Sequence, residues 1–295
     1  MKKKLSLCIF IVFFMSLVGN SSAYAKNLYG FNSEGNIISM DSKRDGELPK
    51  RFRKSTDKIE SNFKKFDLKG MSELNISGSA QFTGDNIKLI KEAIPGKKIA
   101  VVDLREEPHG FINNLAVSWK SDVDDSDGNL SVKKTMENEK NKLKSIKLNE
   151  PVTIKGKKII PKEVESEKDL VEDLNMTYIR IPVMDHGIPD DEMVDYFINT
   201  VKNLPEGTWL HFHCRGGIGR TTTFMIMYDM MKNGKRVGMQ DIVDRQVAIG
   251  GKNILNIKNK KSQKRAEFIK KFYKYASENK DNFQTSWSSW VKQNN

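Results

Sequence analysis

The run from His213 to Thr221 combines residue types that handle phosphate. Cys214 and Arg220 are separated by five residues, and three of those five are glycines: Gly216, Gly217 and Gly219. The apolar run before Cys214 predicts a strand, and the run after Arg220 predicts a helix. Glycines at such a strand-to-helix turn let successive backbone N–H groups point inward, which makes an anion-binding concavity at the helix N-terminus.

This pattern predicts a nucleophilic thiolate beside a phosphate cradle. A free thiol has a pKa of about 8.5, and a helix N-terminus or a nearby cation lowers it, so Cys214 would attack phosphorus as a thiolate. Arg220 offers a planar fork for two phosphoryl oxygens, and the Thr221 hydroxyl can donate a hydrogen bond to the sulfur. We expect His213 to order the loop from the opposite side of the strand. The remaining loop residues would bind the substrate: Arg215, Gly216, Gly217, Ile218 and Gly219.

The first 25 residues have the pattern of a cleaved secretory signal. Lys2 to Lys4 are positive, residues 5–18 are almost entirely apolar, and Ala23-Tyr24-Ala25 offers a small-x-small cleavage site. The apolar run is short for a membrane span, although an uncleaved anchor is the alternative. We therefore expect export of residues 26–295 to the periplasm, the cell surface or the medium, with no stable membrane anchor after cleavage.

Removal of the signal would change both the cysteine count and the charge. The chain has two cysteines, and Cys8 would leave with the signal, so Cys214 would be the only thiol. A lone thiol in an oxidising compartment is either buried and inert or reactive. The formal charge of +12 would fall to +9 with the three signal lysines. Such a balance suits nucleic acid, an anionic surface or a polyanionic small substrate, and composition alone does not choose among them.

Alternating strand and helix patterns predict an α/β fold with a mostly parallel sheet flanked by helices. Three apolar or β-branched runs predict strands: 99–104, 176–183 and 209–213. Three runs with helical spacing predict helices: 190–203, 221–232 and 263–278. The stretch of about 120–168 combines a charged helix-like piece with a hairpin pattern. We interpret it as a small β-rich subdomain inserted into a single domain that spans residues 26–295.

The loop resembles the signature of the protein tyrosine phosphatase superfamily. Other segments are similar to bacterial tyrosine-phosphatase-like inositol polyphosphatases, the cysteine phytases: Leu48–Arg53, Asp103–Phe111, Ser118-Trp119, Asp185-His186 with Pro189, Trp209–Cys214, Arg245-Gln246 with Ile249–Gly251, and Trp287–Trp290. The resemblance covers essentially the whole mature chain, the inserted subdomain included. It implies a tyrosine-phosphatase-like core and a metal-independent phosphomonoesterase that hydrolyses phytate-like substrates through a cysteinyl-phosphate intermediate.

The resemblance also implies roles for residues outside the loop. Asp185 would be the general acid, which protonates the leaving alkoxide and then activates the water that hydrolyses the intermediate. Substrate contacts are implied for five further residues: His186, His109, Arg53, Lys258 and Asp103. From the residue types alone, each has a structural alternative, because an aspartate or histidine can be a simple hydrogen-bond partner and a lysine can be solvated.

One departure from the family pattern follows the nucleophile directly. Phytases of this group often carry an acidic residue and then alanine at these positions, whereas this chain has Arg215 and Gly216. An additional cation at the floor of the pocket should strengthen its attraction to a polyanion.

Two other functions remain open at this level. One is a secreted protein tyrosine or dual-specificity phosphatase, and the other is a phosphate-binding module without catalysis. The joint presence of Cys214, Asp185 and Arg220 favours an enzyme. No histidine or carboxylate cluster has metal-ligand spacing in the sequence, so we expect no metal and no cofactor. The expected partner is a polyanionic small molecule such as an inositol polyphosphate, and not nucleic acid, while the oligomeric state stays open.

Overall fold

The structure is a computed structural model that describes residues 37–43, 46–60, 66–120 and 131–294. The predicted signal, residues 1–25, lies outside this part of the chain. None of the helices within it has the length and apolar composition needed to cross a bilayer.

The described residues form eleven strands and eight α-helices. The strands are β1 (Ile37–Ser42), β2 (Arg53–Lys54), β3 (Ile76–Ala80), β4 (Ile99–Arg105), β5 (His109–Ile112), β6 (Leu115–Lys120), β7 (Val152–Ile154), β8 (Lys157–Ile159), β9 (Val164–Glu165), β10 (Thr177–Val183) and β11 (Trp209–Cys214). The helices are α1 (Asn86–Glu92), α2 (Val132–Lys144), α3 (Glu167–Asp173), α4 (Asp191–Asn203), α5 (Gly219–Asn233), α6 (Met239–Ala248), α7 (Lys260–Glu278) and α8 (Trp287–Gln293). A short 3-10 helix covers Ser72–Leu74.

A five-stranded sheet lies at the centre, in the order β10-β4-β11-β3-β2. β10, β4, β11 and β3 are paired in parallel, and only the short edge strand β2 is antiparallel. Three of these strands, β4, β10 and β11, are the ones predicted from sequence. The predicted α/β class with a mostly parallel sheet is confirmed, and the carboxyl ends of the parallel strands meet at one edge.

Helices cover both faces of the central sheet. Successive residues of β4 alternate between them, because side chains of a strand point to opposite faces. Val102 packs in the larger core with the helices α4, α5, α6 and α7, whereas Val101 packs in a second core with α1 and α3. α5 is buried on almost every side, from Arg220 to Met230. It follows the nucleophile loop directly, so its burial fixes the position of that loop.

A second, antiparallel sheet lies beside the first, in the order β1-β6-β5-β9. Its core includes Ile38, Val117 and Trp119, and Leu143 of α2 packs against it. β7 and β8 form a separate hairpin whose residue Ile154 joins the same core. The predicted insertion contributes α2, the hairpin and β9, while β1, β5 and β6 come from outside its bounds. Its assignment as an inserted subdomain stays a prediction.

Replacement of Phe197 by alanine should destabilise the domain strongly. The ring of Phe197 is fully buried on α4, edge-on to Phe224 at a centroid distance of 5.0 Å and 6.2 Å from Phe212. We expect a loss of about 3–5 kcal/mol in the free energy of unfolding, because a cavity remains between the sheet and α5. Urea denaturation measures it. The matched control is Tyr196→Ala on the same helix, which is 37% exposed and should cost much less. Equal losses for both variants would contradict the assignment of Phe197 to the core.

Candidate active site

The nucleophile loop joins the end of β11 at Cys214 to the start of α5 at Gly219. Gly217 has a φ of 65°, and a Cβ at this position would lie 2.4 Å from the backbone nitrogen of Ala80. Only glycine fits here, because the left-handed conformation and the close backbone of β3 both exclude a side chain. The loop is therefore curled against the end of β3, with the N-terminus of α5 beside Cys214.

Two arginines hold the outer side of this loop. Arg51 Nη1 donates a hydrogen bond to the carbonyl oxygen of Gly216 at 3.0 Å, and Arg53 Nη1 donates to that of Gly217 at 3.1 Å. Arg53 Nη2 also donates to Thr222 Oγ1 at 3.1 Å. Arg53 is buried, and its burial lowers the pKa of the guanidinium to about 10. Arg53 does not line the cleft, and both of its Nη atoms donate to acceptors of the protein. A contact of Arg53 with a substrate phosphate stays a prediction, which this position does not support.

Cys214 lies at the bottom of the loop and is only 3% exposed. Thr221 Oγ1 lies 3.1 Å from Sγ and donates to it. Burial by itself would raise the pKa of the thiol, but the charge of Arg220 and hydrogen bonds from Thr221 and Gly217 lower it below its ordinary value. These contacts favour the thiolate, which is the form that attacks phosphorus.

Arg220 is held from behind by a bidentate ion pair with Glu107. The Nη1–Oε2 distance is 2.7 Å and the Nη2–Oε1 distance is 3.0 Å, and Nη1 also donates to the carbonyl oxygen of Val183 at 2.9 Å. Burial disfavours the charge of this guanidinium, but the pairing with Glu107 keeps its pKa above the ordinary value. The same contacts hold the pKa of Glu107 far below its usual range, against the effect of burial. Arg220 is thus a permanently charged group in a fixed orientation.

Asp185 lies across the loop from these groups. Its Oδ1 is 3.1 Å from Arg220 Nη2 and accepts a hydrogen bond from the backbone N–H of His186 at 3.0 Å. Arg265 of α7 donates from Nη2 to the carbonyl oxygens of His186 and Gly187 at 3.1 and 2.7 Å. The segment that carries Asp185 is therefore held over the nucleophile by an arginine from a distant helix.

These residues open into a cleft with a volume of about 1160 Å³. Eight of the residues predicted to act in the site line it: Asp185, His186, Cys214, Arg215, Gly216, Ile218, Gly219 and Arg220. Most other lining side chains in the described part of the chain are cationic: Lys43, Lys50, Arg51, Lys155, Lys157, Lys252 and Arg265. Among the described lining residues, Asp41, Glu47 and Asp185 contribute the carboxylates. The cleft is strongly basic on several sides.

His109 and Asp103 lie behind the loop and not in the cleft. His109 Nε2 is 3.1 Å from Asp103 and 3.2 Å from Glu167, and Nδ1 is 3.3 Å from Glu139. Burial opposes the charge of this imidazole, but the surrounding carboxylates raise its pKa to about 10. Asp103 also pairs with Arg180 at 2.7 Å, and its pKa is held well below the usual range. Both residues are buried among charged partners, so this position does not support a contact of His109 or Asp103 with substrate, which stays a prediction.

Glu167, at the start of α3, connects this buried cluster to the nucleophile strand. Its Oε1 lies 2.6 Å from His213 Nε2, and its Oε2 accepts from Gln81 Nε2 at 2.8 Å. His213 is fully buried and does not line the cleft, so its position suits a supporting role. Asp103, His109 and Glu167 also have the atom types and proximity of a metal site. Both carboxylates lie against the same nitrogen of His109, Nε2, so the positive charge of a protonated imidazole offsets the repulsion between them.

Lys258 is exposed and does not line the cleft, because it lies in the segment before α7, where its backbone N–H donates to Ser262 Oγ at 2.7 Å. A contact of Lys258 with a substrate phosphate stays a prediction, which this position does not support. The sequence marks 252–265 as a basic segment that could line a pocket, and Lys252 and Arg265 at its two ends do line the cleft. Sequence reasoning missed the hairpin lysines at the turn between β7 and β8. That turn has positive φ at Lys155 and Gly156, and this lysine-glycine pair is the signal that could have revealed it.

Comparison with known proteins places these features in a family. A family model for protein-tyrosine-phosphatase-like phytases matches residues 120–232, and the description of that family is inositol hexakisphosphate. Effector protein hopD2 of Pseudomonas syringae pv. tomato is 29% identical over 243 residues, which are 75% of this chain and 52% of that protein. The chain thus spans about half the length of this curated relative.

Two solved structures resemble the whole described domain. The PTP-like myo-inositol phosphatase of Mitsuokella multacida, in complex with myo-inositol-(1,3,4,5)-tetrakisphosphate, has a TM-score of 0.77 and 30% identity, over 89% of this chain and 49% of that one. A PTP-like phytase of Bdellovibrio bacteriovorus has a TM-score of 0.74 and 29% identity, over 90% of this chain and 97% of that one.

Loss of the Thr221 hydroxyl should raise the pKa of Cys214. Thr221→Val removes the hydrogen bond that stabilises the thiolate, so more of the thiol stays protonated at neutral pH. The pH dependence of alkylation by iodoacetamide measures this, and its midpoint should move upward. Thr223→Val is the matched control, because the Thr223 hydroxyl donates to the carbonyl of Gly219 and not to the sulfur. An unchanged midpoint in Thr221→Val would contradict the role of this hydroxyl.

His109→Gln should change the pH dependence of stability. The pKa of His109 is about 6.5 when unfolded and about 10 when folded, so the folded state holds the proton more tightly. Its contribution is complete below about pH 6.5 and is lost as the pH rises to 10, at up to about 1.4 kcal/mol per pH unit. Denaturation measured between pH 7 and 10 should show that the free energy of unfolding falls less steeply with pH in the variant than in the wild type.

His211→Gln is the control for this measurement. His211 is buried and neutral, with a pKa lowered to about 3 by burial, so it binds no proton in the folded state above pH 7. The control should keep the wild-type fall in stability between pH 7 and 10. Parallel profiles for wild type and His109→Gln would mean that His109 is not charged in the folded protein.

Proposed function

We propose, from its similarity to the protein-tyrosine-phosphatase-like phytases, that this chain is a cysteine-dependent phosphatase of inositol polyphosphates. The observation that carries the proposal is the position of the Cys214 sulfur, buried in a glycine loop between the hydroxyl of Thr221 and the guanidinium of Arg220. A thiolate at the bottom of an anion-binding loop is arranged to attack phosphorus, and no cofactor is needed for that step.

In the first step, the Cys214 thiolate attacks the phosphorus atom, a sulfur–phosphorus bond forms, and the bond to the leaving oxygen breaks. The loop N–H groups and Arg220 bind the phosphoryl oxygens and stabilise their charge in the transition state. Asp185, whose carboxylate lies 3.1 Å from Arg220, gives its proton to the leaving alkoxide. Protonation lets the inositol ring leave as an alcohol.

In the second step, water hydrolyses the cysteinyl phosphate. Asp185, now a carboxylate, accepts a proton from the attacking water, the phosphorus–sulfur bond breaks, and inorganic phosphate leaves. The sulfur must depart as a thiolate, and the hydrogen bond from Thr221 stabilises that charge. The same contacts that lower the pKa of Cys214 therefore assist both steps.

The lining of the cleft supports a substrate with several phosphates. Nine cationic side chains and three carboxylates line it, so a polyanion gains from many contacts at once. Among the described lining residues there is no Phe, Tyr or Trp, whereas a deep phosphotyrosine pocket usually has an aromatic wall. These two observations favour an inositol polyphosphate over a phosphotyrosine side chain. A protein tyrosine phosphatase is the second candidate, because this loop chemistry also serves phosphoprotein substrates.

Export completes the proposal. The predicted signal at residues 1–25 would direct the chain out of the cytoplasm, and the relative from Pseudomonas syringae is named an effector protein. The basic cleft is a concave site for a small polyanion, and we assign it no nucleic acid partner. We also propose that residues 26–295 form one phosphatase domain.

Release of phosphate from inositol hexakisphosphate tests the proposed activity and substrate together. The wild-type chain should hydrolyse inositol hexakisphosphate with a higher kcat/KM than a phosphotyrosine peptide, since only the former meets the cations around the cleft. Cys214→Ser should lower kcat at least about a thousandfold, because the hydroxyl is a far weaker nucleophile. An equal or greater kcat/KM for the phosphotyrosine peptide would contradict the assignment of the substrate.

Two aspartate variants separate a catalyst from a passive phosphate-binding module. Asp185→Asn should lower kcat about a hundredfold, through loss of the general acid. Asp173→Asn, at an exposed position of α3 outside the cleft, should keep wild-type turnover. Binding of inositol hexakisphosphate without any turnover by the wild-type chain would support the module instead.

A further inference from the structure

A series of side chains with alternating charge runs beneath the nucleophile loop. Arg220 pairs with Glu107, and Glu107 Oε1 lies 3.0 Å from Arg105 Nε. Arg105 Nη2 lies 2.8 Å from Asp41 Oδ2, and Asp41 Oδ1 lies 2.8 Å from Arg215 Nε. This series of charges begins at Arg220, the arginine that would bind the scissile phosphate. It ends at the residue directly after the nucleophile.

Arg215 is more exposed than the other four residues in this series of charges. The side chains of Arg105 and Asp41 are fully buried, whereas that of Arg215 is 35% exposed and lines the cleft. Asp41 contacts Arg215 through Nε. Within the described part of the chain, the two Nη atoms of Arg215 have no acceptor. The guanidinium is thus fixed at one edge and free at the other.

The charge of Asp41 does not cancel that of Arg215. Its carboxylate also pairs with Arg105 and accepts a hydrogen bond from Ser118 at 3.0 Å, so two guanidinium groups share one buried negative charge. An acidic side chain at position 215 would lie against Asp41 and be repelled. The pairing therefore selects a cation here and leaves part of its charge for a ligand.

We propose that Arg215 is a specificity-determining residue that binds a second phosphate beside the scissile one, and that Asp41 is the residue that positions it. This rests on the proposed function, because it presumes that one phosphate sits in the loop at Cys214. Arg215 follows the nucleophile directly, so the second phosphate must be close to the first. The substrate class is a ring with phosphates on neighbouring carbons. A free guanidinium edge suits such a group, since arginine binds phosphate through two parallel N–H donors.

The test compares a substrate with many phosphates and a substrate with one. The readout is the ratio of kcat/KM for inositol hexakisphosphate to kcat/KM for p-nitrophenyl phosphate. In Arg215→Gln this ratio should fall about tenfold, mainly through a higher KM for the inositol phosphate. Arg236→Gln is the matched control, an exposed arginine outside the cleft that should keep the wild-type ratio. A ratio for Arg215→Gln within twofold of wild type would overturn the proposal.

A double-mutant cycle tests the role of Asp41. Asp41→Asn should lower the ratio in the wild-type background and leave it unchanged in the Arg215→Gln background, because Asp41 would act on the substrate only through Arg215. A purely structural role would lower activity towards both substrates equally in both backgrounds. An equal fall of the ratio in both backgrounds would overturn the assignment of Asp41.

The outcomes also separate this inference from the proposed function. Hydrolysis of p-nitrophenyl phosphate without hydrolysis of inositol hexakisphosphate by the wild-type chain would contradict both. Normal hydrolysis of inositol hexakisphosphate with an unchanged ratio in Arg215→Gln would contradict the second-phosphate site alone.

Discussion

A phosphate cradle needs fixed positive charge, and in this fold the arginine of the nucleophile loop is buried together with two other arginines beneath it. Arg220, Arg105 and Arg180 are nearly inaccessible, and a buried guanidinium without a partner would cost several kcal/mol. Each is therefore matched by carboxylates: Glu107, Asp41, Asp103 and Glu139. This compensation lets the loop keep a permanent cation and a thiolate side by side beneath the cleft.

The two sheets contribute different parts of this arrangement. The central parallel sheet brings the ends of β3, β4, β10 and β11 to one edge, which is where α/β folds place their sites. The antiparallel sheet supplies Asp41 from β1, which contacts Arg215 of the loop, and His109 from β5, which contacts Asp103 of the central strand β4. The second sheet therefore supports the charge of the site as well as adding its own small core.

Local patterns in the sequence predicted what depends on local structure. The strand, glycine turn and helix around Cys214 follow from residues next to one another, and so do the strands at 99 and 177. The resemblance to a family then pointed to Asp185 and His186, which do line the cleft. It also pointed to His109 and Arg53, which lie outside the cleft, because the same residue types serve equally well behind a loop as in front of it. Only burial distinguishes the two positions, and burial depends on the packing of the whole domain.

The partners of the buried charges could not be predicted for a related reason. Asp41 lies 64 residues before Arg105, and Arg53 lies 164 residues before Gly217, so no spacing along the chain links the members of either pair. Glu107 was within reach, because it belongs to the matching segment that begins at Asp103. The preceding residue, Glu106, has the same side chain, and nothing local marks Glu107 as the partner of Arg220.

The depth of Cys214 also decides how the site meets oxidants. Cys214 is 3% exposed and lies at the bottom of the cleft, so a peroxide must follow the path that a phosphate follows. Bound phosphate therefore shields the thiolate from oxidation. Residues 37–294 contain no second cysteine, so a sulfenic acid formed there has no thiol within them for a protective disulfide. Recovery then depends on a small external thiol that fits the same cleft. Substrate occupancy and redox lifetime are thereby linked through a single entrance.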